Sequence, residues 1–122
     1  MDKSFEYIRV ASAVPSLRVA EPNYNVKEMI KIAFKAAEQG VKILVFPELS
    51  MTGYTCQDLF HQKTLTDECQ EALRVLLEET KYLNMLIALG MPVRADSQLF
   101  NCAAVIKEGK ILGLIPKTYL PN

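Results

Sequence analysis

Two charged residues each follow an apolar run that ends in proline. Glu48 comes after ILVF and a proline, and Lys117 comes after ILGLI and a proline. In open α/β sheets, ligands bind beyond the carboxyl ends of strands, so we expect these two side chains to meet there. The carboxylate can then act as a general base while the ammonium stabilises developing negative charge, which is acyl-transfer chemistry. From the spacing alone, an ordinary ion pair, or two charges that never meet, remain open interpretations.

Apolar patterns predict the elements that position these two charges. Residues 7–14 alternate as a strand does. Apolar residues from 26 onward then repeat at helical spacing until Gly40, where a helix would end. Residues 41–46 form the pattern of a buried parallel strand, and residues 47–63 form a loop that is longer than a simple connection needs.

The second half of the chain predicts a helix, a strand and a hairpin. Residues 65–83 carry an apolar stripe at helical spacing, and residues 85–91 form a strand. Two apolar runs, 99–106 and 111–115, flank the tight-turn signal KEGK, which predicts a β-hairpin. The order strand–helix–strand–helix–strand followed by a hairpin predicts a layered α/β fold with a mixed sheet.

The residues around both charges resemble motifs of the nitrilase superfamily of carbon–nitrogen hydrolases. Residues 47–54 (PELSMTGY) are similar to the motif around that family's catalytic glutamate, and residues 117–122 (KTYLPN) to the segment around its catalytic lysine. The resemblance covers essentially the whole chain from the first strand onward. It implies the N-terminal half of a nitrilase-type αββα sandwich, with Glu48 and Lys117 as catalytic residues and Tyr54 lining the substrate pocket.

The flanking residues resemble a narrower group, the glutaminase domains of NAD synthetases. Residues 55–60 (TCQDLF) and 114–122 (LIPKTYLPN) carry this similarity. It implies hydrolysis of glutamine by a Glu–Lys–Cys triad, in which a cysteine thiolate forms a thioester, ammonia leaves and water hydrolyses the thioester. Glu48 would activate the thiol and later the water, and Lys117 would steady the oxyanion. The ammonia would serve ATP-dependent amidation of deamido-NAD to NAD. ATP and Mg²⁺ are therefore expected only in a synthetase part, with no cofactor in this chain.

The nucleophile of such a triad is not evident among the three cysteines. The family's cysteine lies well downstream of the lysine, whereas this chain ends five residues after Lys117. Cys56 lies in the loop after the glutamate and is the remaining alternative, while Cys69 and Cys102 fall in apolar patterns typical of core residues. We therefore expect residues 1–122 to be a partial carbon–nitrogen hydrolase domain that is inactive alone.

Composition and charge argue against several other classes. The 122 residues are half hydrophobic, and 14 acidic residues balance 14 basic ones, so nothing favours binding to nucleic acid. No apolar run approaches the roughly 20 residues of a membrane span, and the start lacks a signal-peptide pattern. The three cysteines show no paired spacing, so we expect the protein in a reducing cytoplasm. His61 is the only histidine and no C-x-x-C pair occurs, which argues against a metal site. We expect glutamine as the substrate, a homo-oligomer, and no nucleic-acid or membrane partner.

Two alternatives stay open. The chain can belong to a stand-alone nitrilase-like amidase that acts on another small amide. It can also be a non-catalytic fragment that associates through an unpaired sheet edge and an uncovered apolar face. A cysteine in a strand-to-helix turn past residue 122 would favour either enzyme, and a further phosphate-binding loop would favour the synthetase.

Overall fold

The computed structural model describes residues 7–48, 50–52, 63–95 and 98–119. The elements of these residues, in chain order, are β1 (Val10–Ser12), α1 (Pro22–Glu38), β2 (Ile43–Val45), α2 (Lys63–Thr80), β3 (Leu86–Ala95), β4 (Gln98–Lys107) and β5 (Lys110–Tyr119). The predicted order of strands and helices is confirmed.

The described strands form one mixed sheet in the order β1-β2-β3-β4-β5. The pairs β1–β2 and β2–β3 are parallel, as helical crossovers require, and β3, β4 and β5 form an antiparallel meander. The mixed α/β sheet predicted from the sequence is therefore confirmed. β1 is shorter than the predicted strand at 7–14, because it pairs with β2 over three residues.

β3 continues past the predicted end at 91, through Pro92 to Ala95. Proline argues against a strand because it brings no N–H group to the ladder. In β3, however, Gly90 directs its N–H and C=O toward the loop after β2, and by strand alternation the backbone of Pro92 faces the same way. The missing N–H group therefore removes no bond to β4, and β3 pairs with β4 over ten residues.

Both helices pack against one face of the sheet and enclose the core. Each helix buries apolar residues three and four positions apart, as amphipathic helices do. The strands contribute the side chains that alternate toward the helices. The buried helix residues include Val26, Met29, Ala33, Ala36, Cys69, Ala72, Leu73 and Leu76, and the buried strand residues include Leu44, Ile87, Leu89, Met91, Ala104 and Ile106.

The opposite face of the sheet, called here the helix-free face, carries the alternate side chains of the same strands. It includes Val10, Val45, Ala88, Ala103 and Ile115. No helix of the described residues covers this face, and its two edge strands and β2 expose valine and isoleucine side chains there. Apolar sheet faces pack against another layer in stable folds, so this face is suited to one.

Two glycines adopt the left-handed conformation that ends a helix or closes a hairpin. Gly40 (φ 77°) follows α1, where its N–H donates to Ala37 O and the next N–H donates to Ala36 O, the Schellman pattern. Glu108 (φ 51°) and Gly109 (φ 81°) form the two-residue turn between β4 and β5. Positive φ at both central residues is the signature of a type I′ hairpin turn, so the predicted helix end and hairpin are both confirmed.

We expect Gly109→Ala to destabilise the chain more than Gly40→Ala. Both positions have a positive φ, so alanine costs about 1 kcal/mol at either one. A Cβ added at Gly109 comes within 3.0 Å of Lys81 Cβ, whereas a Cβ added at Gly40 meets no described atom within 4 Å. Urea unfolding of the two variants measures the difference, and equal losses of unfolding free energy would contradict this expectation.

Candidate active site

The loop after β2 holds Glu48 against β3. Phe46 N–H extends the sheet by donating to a β3 carbonyl at 2.8 Å. Beyond Glu48, Gly90 bonds to the loop twice: its N–H donates to Ser50 Oγ at 3.2 Å, and its carbonyl accepts from Met51 N–H at 3.0 Å. Ser50 and Met51 are fully buried. Glu48 therefore lies between two points at which the loop is bonded to the sheet.

A second anchor for this loop is Asn25, a fully buried residue near the start of α1. Its Nδ2 donates to Met51 O at 2.9 Å and to Arg18 O at 2.8 Å, and its Oδ1 accepts from Arg18 N–H at 2.7 Å. The amide thus joins the loop after β2 to the loop before α1. The sequence analysis missed Asn25. The available signal was a polar residue on the same helical face as Met29, four positions later.

Lys117 lies at an irregularity in the pairing of β4 with β5. Asn101 pairs with Thr118 and Cys102 pairs with Pro116, so Lys117 is the extra residue between them. Pro116 brings no N–H group to the ladder, which suits a position where regular pairing is interrupted. β-bulges re-aim side chains and are frequent next to active sites. The bulge is therefore the feature of β5 that sets where Lys117 points.

The two residues predicted to be catalytic meet beyond the carboxyl end of β2. Lys117 Nζ lies 3.4 Å from Glu48 Oε2, although the residues are 69 positions apart in the chain. Their side chains are 48% and 33% exposed, respectively. An ion pair this open to water contributes only about 0–1 kcal/mol to stability. The arrangement instead places a carboxylate, which can accept a proton, next to an ammonium, which can stabilise negative charge.

Asn101 is a third member of the site. Its Nδ2 donates to Glu48 Oε1, and its side chain is 2% exposed. The Oδ1 atom of the same amide is buried without a hydrogen-bond partner among the described residues. The sequence analysis did not identify Asn101. An asparagine inside the apolar run 99–106 was the signal, because a buried amide needs a polar partner.

Three residues of interest from the sequence lie outside the described residues. These are Tyr54, predicted to line the substrate pocket, Cys56, the alternative nucleophile, and His61. Within residues 7–48, 50–52, 63–95 and 98–119, no group of three or more His, Cys, Asp or Glu side chains could hold a metal ion. In the same ranges, neither helix combines the length and apolar character that crossing a membrane demands.

The other two cysteines are core residues, as predicted from their apolar surroundings. Cys69 is fully buried in α2 and belongs to the hydrophobic core. Cys102 is also buried, and desolvation raises the pKa of its thiol, which favours the unreactive neutral form. Because Cys102 follows Asn101 in β4, its side chain points to the opposite face of the sheet. Neither thiol is placed to attack a substrate beside Glu48.

The fold and the site define a class of protein. An α/β sheet with helices on one face brings together a carboxylate that follows β2 and an ammonium that lies inside β5, not beyond its end as predicted. Both groups could act on an amide bound there. This arrangement is suited to hydrolysis of carbon–nitrogen bonds. Residues 9–121 match the carbon-nitrogen hydrolase family. The chain belongs to that family.

Individual similar proteins point to a narrower group within the family. The glutamine-dependent NAD(+) synthetase of Mycobacterium tuberculosis is 33% identical over 116 residues, which is 95% of this chain and 17% of that protein. The crystal structure of a glutamine-dependent NAD(+) synthetase from Cytophaga hutchinsonii superposes with a TM-score of 0.85 at 28% identity, covering 94% of this chain and 20% of that one. The chain thus spans about a fifth or less of these relatives, and the resemblance seen in its sequence is confirmed.

A solved amidase of the nitrilase superfamily, from Nesterenkonia, shares the fold. It superposes with a TM-score of 0.76 at 23% identity, and the match covers 94% of this chain and 45% of the amidase. At this identity the similarity concerns the fold alone. Together with the synthetase structure it confirms the predicted nitrilase-type α/β architecture.

We expect Asn25→Ala to lower the free energy of unfolding by about 3 kcal/mol, because three backbone groups lose a hydrogen-bond partner and one of these bonds, to Met51 O, is buried. Asn23→Ala is the matched control, since Asn23 lies two residues earlier in α1 and is exposed. The control should stay within about 0.5 kcal/mol of the parent. Chemical unfolding measures both variants, and similar values for the two would mean that Asn25 does not anchor the loop.

Proposed function

We propose that this chain supplies the base and the oxyanion-stabilising cation of a glutaminase. The ammonia it releases would serve ATP-dependent amidation of deamido-NAD to NAD. The observation that carries the proposal is the 3.4 Å approach of Lys117 Nζ to Glu48 Oε2 in a chain of the carbon-nitrogen hydrolase family. The choice of glutamine rests on similar proteins that are glutamine-dependent NAD(+) synthetases. The match to one of them covers 95% of this chain.

The chemistry follows from the two head groups. Glu48 accepts the proton of a cysteine thiol while the sulfur forms a bond to the amide carbonyl carbon. Negative charge then grows on the carbonyl oxygen, and Lys117 stabilises it. Glu48 returns its proton to the leaving nitrogen as the carbon–nitrogen bond breaks, which releases ammonia and leaves a thioester. Glu48 next takes a proton from water, whose oxygen attacks the thioester carbon. Glu48 then gives this proton to the sulfur as the carbon–sulfur bond breaks, which releases glutamate and restores the thiol.

We place the nucleophile of this reaction outside residues 1–122. Cys69 and Cys102 are buried on the helix side of the sheet, and Cys102 also has a raised pKa. The 122-residue chain by itself would then release no ammonia from glutamine. Tyr54 would line the glutamine pocket, and ATP with Mg²⁺ would bind in a synthetase part rather than in this chain. We assign the protein to the cytoplasm.

We expect Glu48→Gln and Lys117→Met to reduce kcat/KM for glutamine hydrolysis by about 10³-fold each, because one removes the base and the other the cation. The whole product of the gene is assayed for glutamate and ammonia. Glu79→Gln and Lys110→Met are the matched controls, since both residues are exposed and the latter lies in the same strand as Lys117. The controls should change kcat/KM by less than about twofold.

Three outcomes would overturn the proposal. Glu48 or Lys117 variants that keep the parent activity would remove both residues from the chemistry. Turnover of another small amide, with glutamine left intact, would favour the stand-alone amidase. Turnover by the 122-residue chain that disappears in Cys56→Ser would place the nucleophile in the loop after Glu48.

We also propose that the chain assembles with copies of itself, supported by the apolar side chains exposed on the helix-free face. We expect Val45→Lys to lower the average mass in sedimentation equilibrium, because it replaces an exposed apolar side chain of that face by a charge. Val19→Lys is the matched control, since Val19 lies outside the sheet and is 47% exposed against 43% for Val45. A parent chain that stays monomeric at high concentration would contradict the proposal.

A further inference from the structure

Asn101 is a buried polar residue in a strand, and its side chain contacts Glu48. It lies in β4 inside an apolar run, and its side chain is 2% exposed. Burial of an amide is unfavourable unless its polar atoms find partners, so the contact that a buried amide makes is the first place to look for its role. Its Nδ2 makes that contact with Glu48 Oε1, 53 positions away in the chain.

The orientation of this amide is set by Glu48. An ionised carboxylate only accepts hydrogen bonds, so the N–H side of the amide must face it. The amide's other end, Oδ1, has no partner among the described residues that would favour one orientation over the other. A reversed amide would place its oxygen against the carboxylate oxygen. The contact therefore favours the ionised form of Glu48, which is the form that can accept a proton.

The two oxygens of Glu48 face different partners. Oε1 accepts from the buried Asn101, whereas Oε2 faces Lys117, whose side chain is 48% exposed. Oε1 thus points into the protein and Oε2 toward the open side of the site. A carboxylate held at one oxygen by a buried donor cannot rotate without losing that bond, so the same oxygen stays presented to the substrate.

We propose that Asn101 is a positioning residue that fixes the Glu48 carboxylate, so that Oε2 exchanges protons with the nucleophile and the leaving group. This role rests on the proposed glutaminase function. β4 also places Asn101 beside the bulge that carries Lys117, because Asn101 pairs with Thr118 at the start of the irregularity. Asn101 therefore orients the carboxylate of Glu48 and also lies next to Lys117 in the sheet.

Replacement of Asn101 by leucine tests this role, because leucine keeps the volume and removes the donor. In the 122-residue chain, carbon-13 NMR follows the titration of the Glu48 carboxyl, and we expect its pKa to rise by about one unit in Asn101→Leu. Asn101→Ser, which is too short to span the contact, should give a shift in the same direction. Leu99→Ala is the control: Leu99 is buried two positions earlier on the same face, and its loss removes packing without a hydrogen-bond donor.

Kinetics of the whole gene product provide the second readout. We expect the acidic limb of the kcat/KM profile to move to higher pH by about one unit in Asn101→Leu, because an unassisted carboxyl keeps its proton longer. At the optimum, kcat should fall about tenfold while KM stays within about threefold, since the contact acts on the base and not on substrate binding. Leu99→Ala should leave the limb in place.

The two readouts separate this inference from the proposed function. A parent enzyme that hydrolyses glutamine through Glu48, with an unchanged Glu48 titration and an unchanged acidic limb in Asn101→Leu and Asn101→Ser, would overturn the role of Asn101 alone. A parent that does not hydrolyse glutamine would overturn the function, while the NMR titration would still decide whether Asn101 fixes the carboxylate. Equal shifts in the Leu99→Ala control would assign the effect to packing and also reject the inference.

Discussion

The two hydrogen bonds between Gly90 and the loop after β2 are the contacts on which the rest of the site depends. Glu48 belongs to neither a helix nor a strand, and a loop residue keeps a fixed position only when its backbone is held by a rigid element. β2 pairs with β3 as far as Val45. Immediately beyond, Gly90 offers its N–H and C=O to Ser50 and Met51, so the loop continues the contacts that β2 makes. The backbone on either side of Glu48 is thereby held against β3.

Once Glu48 is fixed to β3, the sheet register brings its two partners to it. β3 and β4 pair without interruption over ten residues, which sets Asn101 opposite Pro92, two positions from Gly90. A slip of one residue would turn Asn101 toward the helices and Cys102 toward Glu48. The pairing of β4 with β5 is not regular in the same way, because its register shifts by one residue beside Asn101, at Lys117. Regular pairing therefore positions the amide, and a local irregularity positions the ammonium.

The role of a residue could be predicted where its neighbours in the sequence explain its type. It could not be predicted where the residue's role depends on a contact with a distant part of the chain. Glu48 and Lys117 could be found because each follows a proline at the end of an apolar run, and Gly40 because a helix end needs a left-handed residue. Asn25 and Asn101 could not, since their partners lie 26 and 53 positions away. A polar residue in an apolar pattern indicates that some partner exists, but the pairing register decides which one. The role of Tyr54 stays a prediction.

The electrostatic surroundings of Glu48 depend on what lies over the helix-free face. With Glu48 and Lys117 partly exposed, water screens their interaction. A layer packed over this face would lower the local dielectric, which strengthens the attraction to Lys117 and at the same time makes the ionised carboxylate costlier. The contact of Asn101 with Oε1 differs from that of Lys117 with Oε2, because the Asn101 side chain is already buried. A covering layer would change the surroundings of Oε2 far more than those of Oε1, because Oε1 is bonded to a buried amide whereas Oε2 faces an exposed ammonium. On the proposed function, Asn101 would therefore hold one oxygen while the covering layer sets the surroundings of the oxygen proposed to react.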